Sequence, residues 1–192
     1  MLPGSSEIPY ALALVQRRQG HWDESIAYFE QALARDPRNV EFLNSAARTY
    51  GMLRQFPAAL KLYDRVLDIT PNDSDAMTSK TCIYQAQGNL QKAAKFLSQI
   101  NDQTSWYAMI IKFTQLRLER NYGEAIRLLQ ARLAQSFDSE VDKSNHQVAL
   151  AFMQRVAGDT LGAGVTGEPA RNTFEKLAEP NQATGILPSR CL

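Results

Sequence analysis

The sequence predicts an all-α solenoid, a fold in which helix pairs stack one after another. Residues 26–37, IAYFEQALARDP, return 34 positions later as residues 60–71, LKLYDRVLDITP. In both segments the apolar residues recur at the three- and four-residue spacing of one helix face. A period near 34 residues is typical of helix-pair repeats, in which neighbouring units bury apolar faces that no single unit can bury alone.

The first helix pair is predicted from its capping and turn residues. Ser6 is the expected N-cap of a helix over residues 6–19, and Gly20 allows the tight turn that follows. Asp23 is the expected N-cap of the second helix. That helix should end before Pro37, because the residue preceding a proline is displaced from helical geometry. The same plan should recur in each later pair.

The later helix pairs repeat this plan with decreasing regularity. Pro57 suits the first turn of a helix, where its missing N–H costs little. By contrast, Gly162, Gly164, Gly167 and Pro169 should fray the start of the last helix, because glycine and proline are the poorest helix formers. The predicted later helices are residues 40–53, 57–69, 75–87, 90–100, 105–120, 122–134, 144–157 and 170–178.

The segments between and beyond these helices are predicted to be irregular. Residues 1–5 should form a loose N-terminal end, and residues 137–143 a polar joint. The fourth repeat starts 32 residues after the third, near residue 106, which predicts a local change in pitch. Residues 179–192 lack helical periodicity and are expected to form a disordered tail.

The residues at the repeat positions resemble those of the tetratricopeptide repeat (TPR) family. That family has small and aromatic residues in both helices, a turn glycine and a closing proline. Repeat one carries Ala13, Gly20, Trp22, Phe29, Ala32 and Pro37, and repeat two carries Ala47, Tyr50, Phe56, Ala59, Tyr63 and Pro71, with Arg54 at the glycine position. The resemblance covers residues 6–158 and implies a right-handed α-α superhelix of about five helix pairs. The implied repeats lie near residues 6–39, 40–73, 74–105, 106–139 and 144–177.

The resemblance also implies a function, that of a non-catalytic scaffold that binds a protein or peptide. In this family the first helices of the repeats line a concave groove that holds the ligand. Transferring the family's groove positions to this chain gives a set of candidate ligand contacts. They are Tyr10, Leu14, Arg17, Asn44, Arg48, Met52, Thr78, Tyr107, Ile110, Arg117 and Arg155.

The arginines of this set have two possible roles. They can bind carboxylates of a ligand by forked hydrogen bonds, or they can form intramolecular ion pairs with Glu7, Glu41 and Asp75. The sequence leaves both open. Binding of chaperone C-termini is not expected, because the clamp positions of co-chaperone TPR domains are not kept here. Those positions hold Tyr10, Leu14, Ser45, Asp75 and Ser79.

Composition and motifs favour neither catalysis nor cofactor binding. The 21 basic and 20 acidic residues nearly cancel, which argues against nucleic acid as a partner. His21 and His146 are the only histidines, and neither has a second His or Cys at metal-ligand spacing, so no metal and no cofactor are expected. No segment approaches about 18 consecutive apolar residues, so no membrane insertion is expected. The low cysteine content fits a reducing compartment, and we expect a cytoplasmic location.

Two alternatives to a peptide-binding scaffold stay open at this point. The chain can be an oligomerisation or structural segment of a larger regulator or secretion protein. Because no polar capping helix is visible after residue 158, a homodimer could form through the C-terminal end. The chain can also be the accessory domain of a transferase, since TPR arrays precede catalytic domains in some transferases.

Overall fold

The structure, a computed structural model, describes residues 5–100 and 106–178, except for the side chains of Trp106 and Tyr107. Within these residues it contains ten α-helices and no strand, which confirms the predicted all-α fold. The helices are α1 (Glu7–Gln19), α2 (Trp22–Arg35), α3 (Val40–Met52), α4 (Phe56–Ile69), α5 (Ser74–Ala86), α6 (Leu90–Leu97), α7 (Trp106–Leu118), α8 (Tyr122–Leu133), α9 (Glu140–Val156) and α10 (Thr160–Ala178).

Two compact units make up the chain. Unit 1 is Met1–Gln115 and unit 2 is Leu116–Leu192. Most of the predicted loose N-terminal end, the predicted change of pitch near residue 106 and the predicted tail at 179–192 lie outside the described residues.

Unit 1 is built from three helix pairs, α1 with α2, α3 with α4, and α5 with α6. Each pair turns on one residue in the left-handed region, Gly20 at φ 80°, Arg54 at φ 57° and Gly88 at φ 72°. These three turn residues are each 34 positions apart. The repeat period therefore fixes the position of each turn, even where Arg54 replaces the usual glycine.

The core of unit 1 lies between the helix pairs. Small buried residues such as Ala13, Ala47 and Ala59 let neighbouring helices approach closely, and larger ones fill the space between them. Leu43, Tyr63 and Val66 form one cluster with Ala47, Ala59 and Ile83. Because each cluster takes residues from consecutive pairs, packing between repeats stabilises the unit.

The helices of unit 1 begin within two residues of their predicted starts. Asn39, Asp73 and Asn89 accept hydrogen bonds from backbone N–H groups in the first turns of α3, α5 and α6. The prediction for Asp23 is wrong, because α2 already begins at Trp22 with His21 as its N-cap. Asp23 instead lies in the first turn, where its negative charge favours the positive end of the helix dipole.

Helix α9 begins four residues earlier than predicted. The hydroxyl of Ser139 accepts hydrogen bonds from the N–H groups of Val141 and Asp142, at 3.1 and 3.4 Å, and so caps a helix that starts at Glu140. The predicted joint over residues 137–143 is therefore helical in its second half. At the start of this joint, the guanidinium carbon of Arg132 lies 3.8 Å from the centroid of the Phe137 ring.

Helix α10 contradicts the predicted frayed segment. It runs without interruption from Thr160 to Ala178, with Pro169 inside it. The carboxylate of Asp159 accepts a 2.8 Å hydrogen bond from the N–H of Gly162 and so supports the first turn. Helix α10 packs along α9, and a Cβ added at Gly167 would lie 3.5 Å from the Cβ of Ala151, an ordinary packing distance. Packing against α9 thus offsets the poor helix propensity of glycine and proline.

Candidate interaction surface

The first helices of unit 1, α1, α3 and α5, carry most of the predicted groove residues. We call the exposed and half-buried residues of these three helices the first-helix surface. Tyr10 of α1 donates a 2.8 Å hydrogen bond to Glu41 of α3, and its hydroxyl lies 3.1 Å from that of Ser45. Arg17 donates to the Ser45 carbonyl at 3.4 Å and to the Thr49 hydroxyl at 3.3 Å. These contacts hold α1 and α3 side by side.

Contacts within unit 1 involve the side chains of Tyr10, Leu14 and Arg17, which stabilise the packing of its helices. The Tyr10 ring stacks on Phe42 with 4.4 Å between centroids, and burial raises the pKa of its phenol. The Ser45 hydrogen bond opposes this rise and Glu41 adds to it. Leu14 packs on the core cluster around Phe29, and the Arg17 guanidinium lies 5.9 Å from the Phe29 ring centroid. All three side chains are thus held by contacts within the unit.

Arg48 of α3 differs from Arg17 in having no such partners. Its side chain is half-buried and makes no ion pair with any of the described residues. Its charge lies close enough to the Tyr63 hydroxyl to lower the pKa of that phenol, although burial of Tyr63 raises it more. Met52, one helical turn further along α3, is 50% exposed. The first-helix surface therefore presents a cation and an apolar side chain one turn apart.

Thr78 and Asn44 do not suit the ligand contacts predicted for them. Thr78 is only 4% exposed, because α5 is covered by the helices packed around it, so the predicted contact is wrong for this residue. The side-chain oxygen of Asn44 is shielded from solvent and has no hydrogen-bond partner among the described residues. A ligand could reach that oxygen only if the side chain moved.

The remaining predicted contacts fall on α7 and α9. Ile110 is half-buried on α7 within unit 1, and the side chain of Tyr107 lies outside the described residues. Arg117 and Arg155 belong to unit 2, where both are exposed and neither is in an ion pair with a described residue. On α9, Arg155 lies beside the exposed Val148 and Phe152. These unit 2 residues stay predicted ligand contacts.

The described residues offer little for metal or acid–base chemistry. They contain no group of three or more His, Cys, Asp or Glu side chains placed to hold a metal ion. His21 pairs its Nδ1 with the side-chain oxygen of Gln16 at 2.7 Å. His146 is buried, with its Nδ1 2.8 Å from the Asp142 carbonyl and its ring edge-on to Phe137. Both histidines therefore support local structure.

A protein-family model matches the first two repeats. Residues 10–74, which hold most of the first two helix pairs, match a model described as tetratricopeptide repeat. The first two helix pairs therefore match the TPR family. TPR proteins are generally non-catalytic scaffolds that bind other proteins. This match suggests the predicted general class, a protein-interaction scaffold.

Several solved structures, two of them described as TPR proteins, share this fold over most of the chain. A TPR protein from Parabacteroides merdae is 20% identical, with a TM-score of 0.71 over 90% of this chain, and the chain spans 64% of that protein's length. MamA from Desulfovibrio magneticus is 15% identical with a TM-score of 0.72, covering 91% of this chain and 97% of MamA. A thermophilic TPR protein from Thermus thermophilus is 20% identical with a TM-score of 0.69, covering 90% and 93%. At these identities the likeness shows the fold alone.

Crossing a membrane requires a helix that is both long and apolar. Among the described residues, every helix falls short of the length and apolar character needed to cross a bilayer.

Sequence reasoning about the groove left out the second helices of the repeats. In unit 1, α2 and α4 border a pocket whose rim includes Lys61, which the repeat comparison did not single out. The small residues Ala34 and Ala58, both on the pocket wall, are a sequence signal that could have pointed to it.

Proposed function

We propose that this TPR protein binds an acidic peptide segment of a partner protein on the first-helix surface of unit 1. The observation that carries the proposal is Arg48, a half-buried guanidinium without an ion-pair partner among the described residues. A guanidinium presents a planar fork of donors that matches a carboxylate. A ligand carboxylate would therefore supply the partner that the protein does not.

Met52 supports the same kind of ligand. Its exposed side chain lies one helical turn from Arg48 on α3, so a peptide that reaches Arg48 also passes over an apolar contact. Flexible methionine side chains adapt to partners of different shape. The preferred ligand is thus a segment that combines an Asp or Glu with a nearby apolar residue.

The Arg48→Glu variant tests this assignment. Peptides selected from a displayed library of random 12-residue sequences with the wild-type chain as bait should be rich in acidic residues. Charge reversal replaces an attractive contact with a repulsive one, so we expect the affinity of these peptides to fall at least about tenfold. Isothermal titration calorimetry with the three strongest synthetic peptides measures the change.

The matched control is Arg38→Glu. Arg38 is exposed in the turn between α2 and α3, so this variant makes the same change of charge without altering the first-helix surface. Its affinity for the selected peptides should stay within a factor of about two of the wild-type value. Equal binding by wild type and Arg48→Glu, or failure of any peptide to be enriched, contradicts the proposal.

A second candidate function, self-association through α10, rests on a different observation. Leu161 and Val165 lie one turn apart on α10 and are 85% and 78% exposed. Neighbouring large apolar side chains with this exposure are typical of an interaction surface. A second copy of the chain would cover them by packing α10 against its counterpart.

The double variant Leu161→Glu/Val165→Glu should abolish such self-association. Two carboxylates at the centre of an apolar contact would be desolvated without partners, at a cost that outweighs the burial of the contact. Light scattering over a concentration range should give a dimer for the wild type and a monomer for the variant. The control Gln19→Glu/Gln31→Glu adds two carboxylates at exposed positions of unit 1 and should leave the mass unchanged. A wild-type monomer at every concentration excludes this function.

A further inference from the structure

A pocket of about 370 Å³ opens between the second helices α2 and α4 of unit 1. Its floor contains the buried residues Phe29 and Ala46. Because Ala34 on α2 and Ala58 on α4 have short side chains, the two helices leave a gap at the surface. The apolar walls of the pocket are completed by Leu33 and Leu62.

The rim of the pocket carries two cations and one carboxylate. Glu30 accepts a 3.2 Å hydrogen bond from the Tyr50 hydroxyl, and Arg65 donates a 2.7 Å hydrogen bond to the Pro37 carbonyl. Burial and the neighbouring Glu30 both raise the pKa of Tyr50, so the phenol stays a donor to Glu30 at neutral pH. Lys61 makes no hydrogen bond or ion pair with any described residue. Neither rim cation is in an ion pair with a described residue, and the ammonium of Lys61 also has no described hydrogen-bond partner.

We propose that this pocket, which we call the second-helix pocket, binds a partner peptide through one large apolar side chain and a neighbouring carboxylate. Its volume is near the lower end of ligand pockets, the size that one Phe or Leu side chain and part of its backbone can fill. The apolar floor and walls favour that side chain, and Lys61 favours an Asp or Glu beside it. This inference goes beyond the peptide contact at Arg48, because it uses the other helix of each repeat and other residues.

Capped dipeptides provide direct probes of both parts of the proposal. Acetyl-Phe-Glu-amide should shift the backbone NMR signals of Ala34, Ala58 and Leu62 in a saturable manner, with a dissociation constant on the order of 1 mM. Acetyl-Phe-Gln-amide has the same shape without the charge and should bind about threefold more weakly at low ionic strength. Acetyl-Ala-Glu-amide lacks the ring and should bind about tenfold more weakly.

Two variants assign the binding to the pocket. Ala34→Phe fills the pocket with a side chain of its own and should abolish the shifts, whereas its circular dichroism should match that of the wild type. Lys61→Met keeps the aliphatic stem and removes the charge, so the preference for the Glu probe over the Gln probe should vanish. Measuring both probes with the wild type and with Lys61→Met gives a double-mutant cycle, which isolates the ion pair between Lys61 and the Glu of the probe.

The Arg48→Glu variant separates this proposal from the previous one. It should bind acetyl-Phe-Glu-amide as the wild type does, because Arg48 does not line the pocket. Shifts confined to α1 and α3 that disappear in Arg48→Glu would place the probe on the first-helix surface and overturn the pocket. Absence of saturable shifts, persistence of binding in Ala34→Phe, or equal affinity for the Glu and Gln probes would also overturn it.

Discussion

Replacement of Phe29 by alanine should lower the free energy of unfolding of unit 1 by about 4 kcal/mol. Phe29 is 1% exposed and forms a core cluster with Ala13 and Ala46, so that its ring joins α1, α2 and α3. Its removal leaves a cavity between three helices that are held in place from several sides and can collapse only in part. Because each repeat is stabilised by its neighbours, the first two helix pairs should weaken together.

Fluorescence offers a measurement that is specific for unit 1. Both tryptophans, Trp22 and Trp106, belong to this unit, whereas far-ultraviolet circular dichroism follows the helices of both units. With an m-value of about 2 kcal/mol per M, the urea midpoint of the fluorescence transition should fall by about 2 M. The circular dichroism curve should then broaden or separate, because unit 2 lacks the substitution.

The leucine variant is the control for the Phe29 prediction. Phe29→Leu keeps most of the buried volume and should cost less than about 1.5 kcal/mol. The difference between the two variants reports the cavity alone. Similar midpoints for Phe29→Ala and Phe29→Leu would mean that the ring does not fill the space between the helices, and would contradict this description of the core.

Local sequence signals predicted the first six helices within a few residues, because turns and caps are local. Gly20 and Pro37 sit where the chain must leave a helix, and the 34-residue period transfers these positions to the next pair. The full length of helix α10 could not be predicted from such local signals. Its glycines and Pro169 are unfavourable one by one, but the helix packs along α9 within unit 2. That compensation depends on packing, which the segment alone does not reveal.

The candidate site was less predictable than the fold. Periodicity assigns a side chain to a helix face, but neighbouring side chains decide whether it is accessible. Thr78 lies at a groove position and is buried, and the Tyr10 hydroxyl is occupied by Glu41 and Ser45. Arg48 is in no ion pair with a described carboxylate, which leaves it a predicted ligand contact. The second-helix pocket needed coordinates, since it depends on the gap between α2 and α4.

The second large prediction concerns Lys80, a buried charged residue. The loss of stability on replacing it should depend on which side chain is introduced. Its side chain is 5% exposed on α5 and forms an ion pair with Asp64 of α4, whose side chain is 60% exposed. The ammonium also lies 4.4 Å from the centroid of the Phe96 ring. Lys80→Ala removes the buried aliphatic stem together with the charge, and should lower the free energy of unfolding by about 3 kcal/mol.

Lys80→Met should cost no more than about 1 kcal/mol, because methionine refills the space of the stem and the exposed Asp64 can be hydrated without its partner. Asp64→Asn changes only a surface group but leaves a buried ammonium with a single neighbour, Phe96. It should therefore cost about 2 kcal/mol, more than Lys80→Met. In the Lys80→Met background the Asp64→Asn change should cost almost nothing. Urea unfolding followed by tryptophan fluorescence measures the wild type and all four variants. If Lys80→Met is as unstable as Lys80→Ala, then the ion pair rather than the packing of the stem stabilises this site.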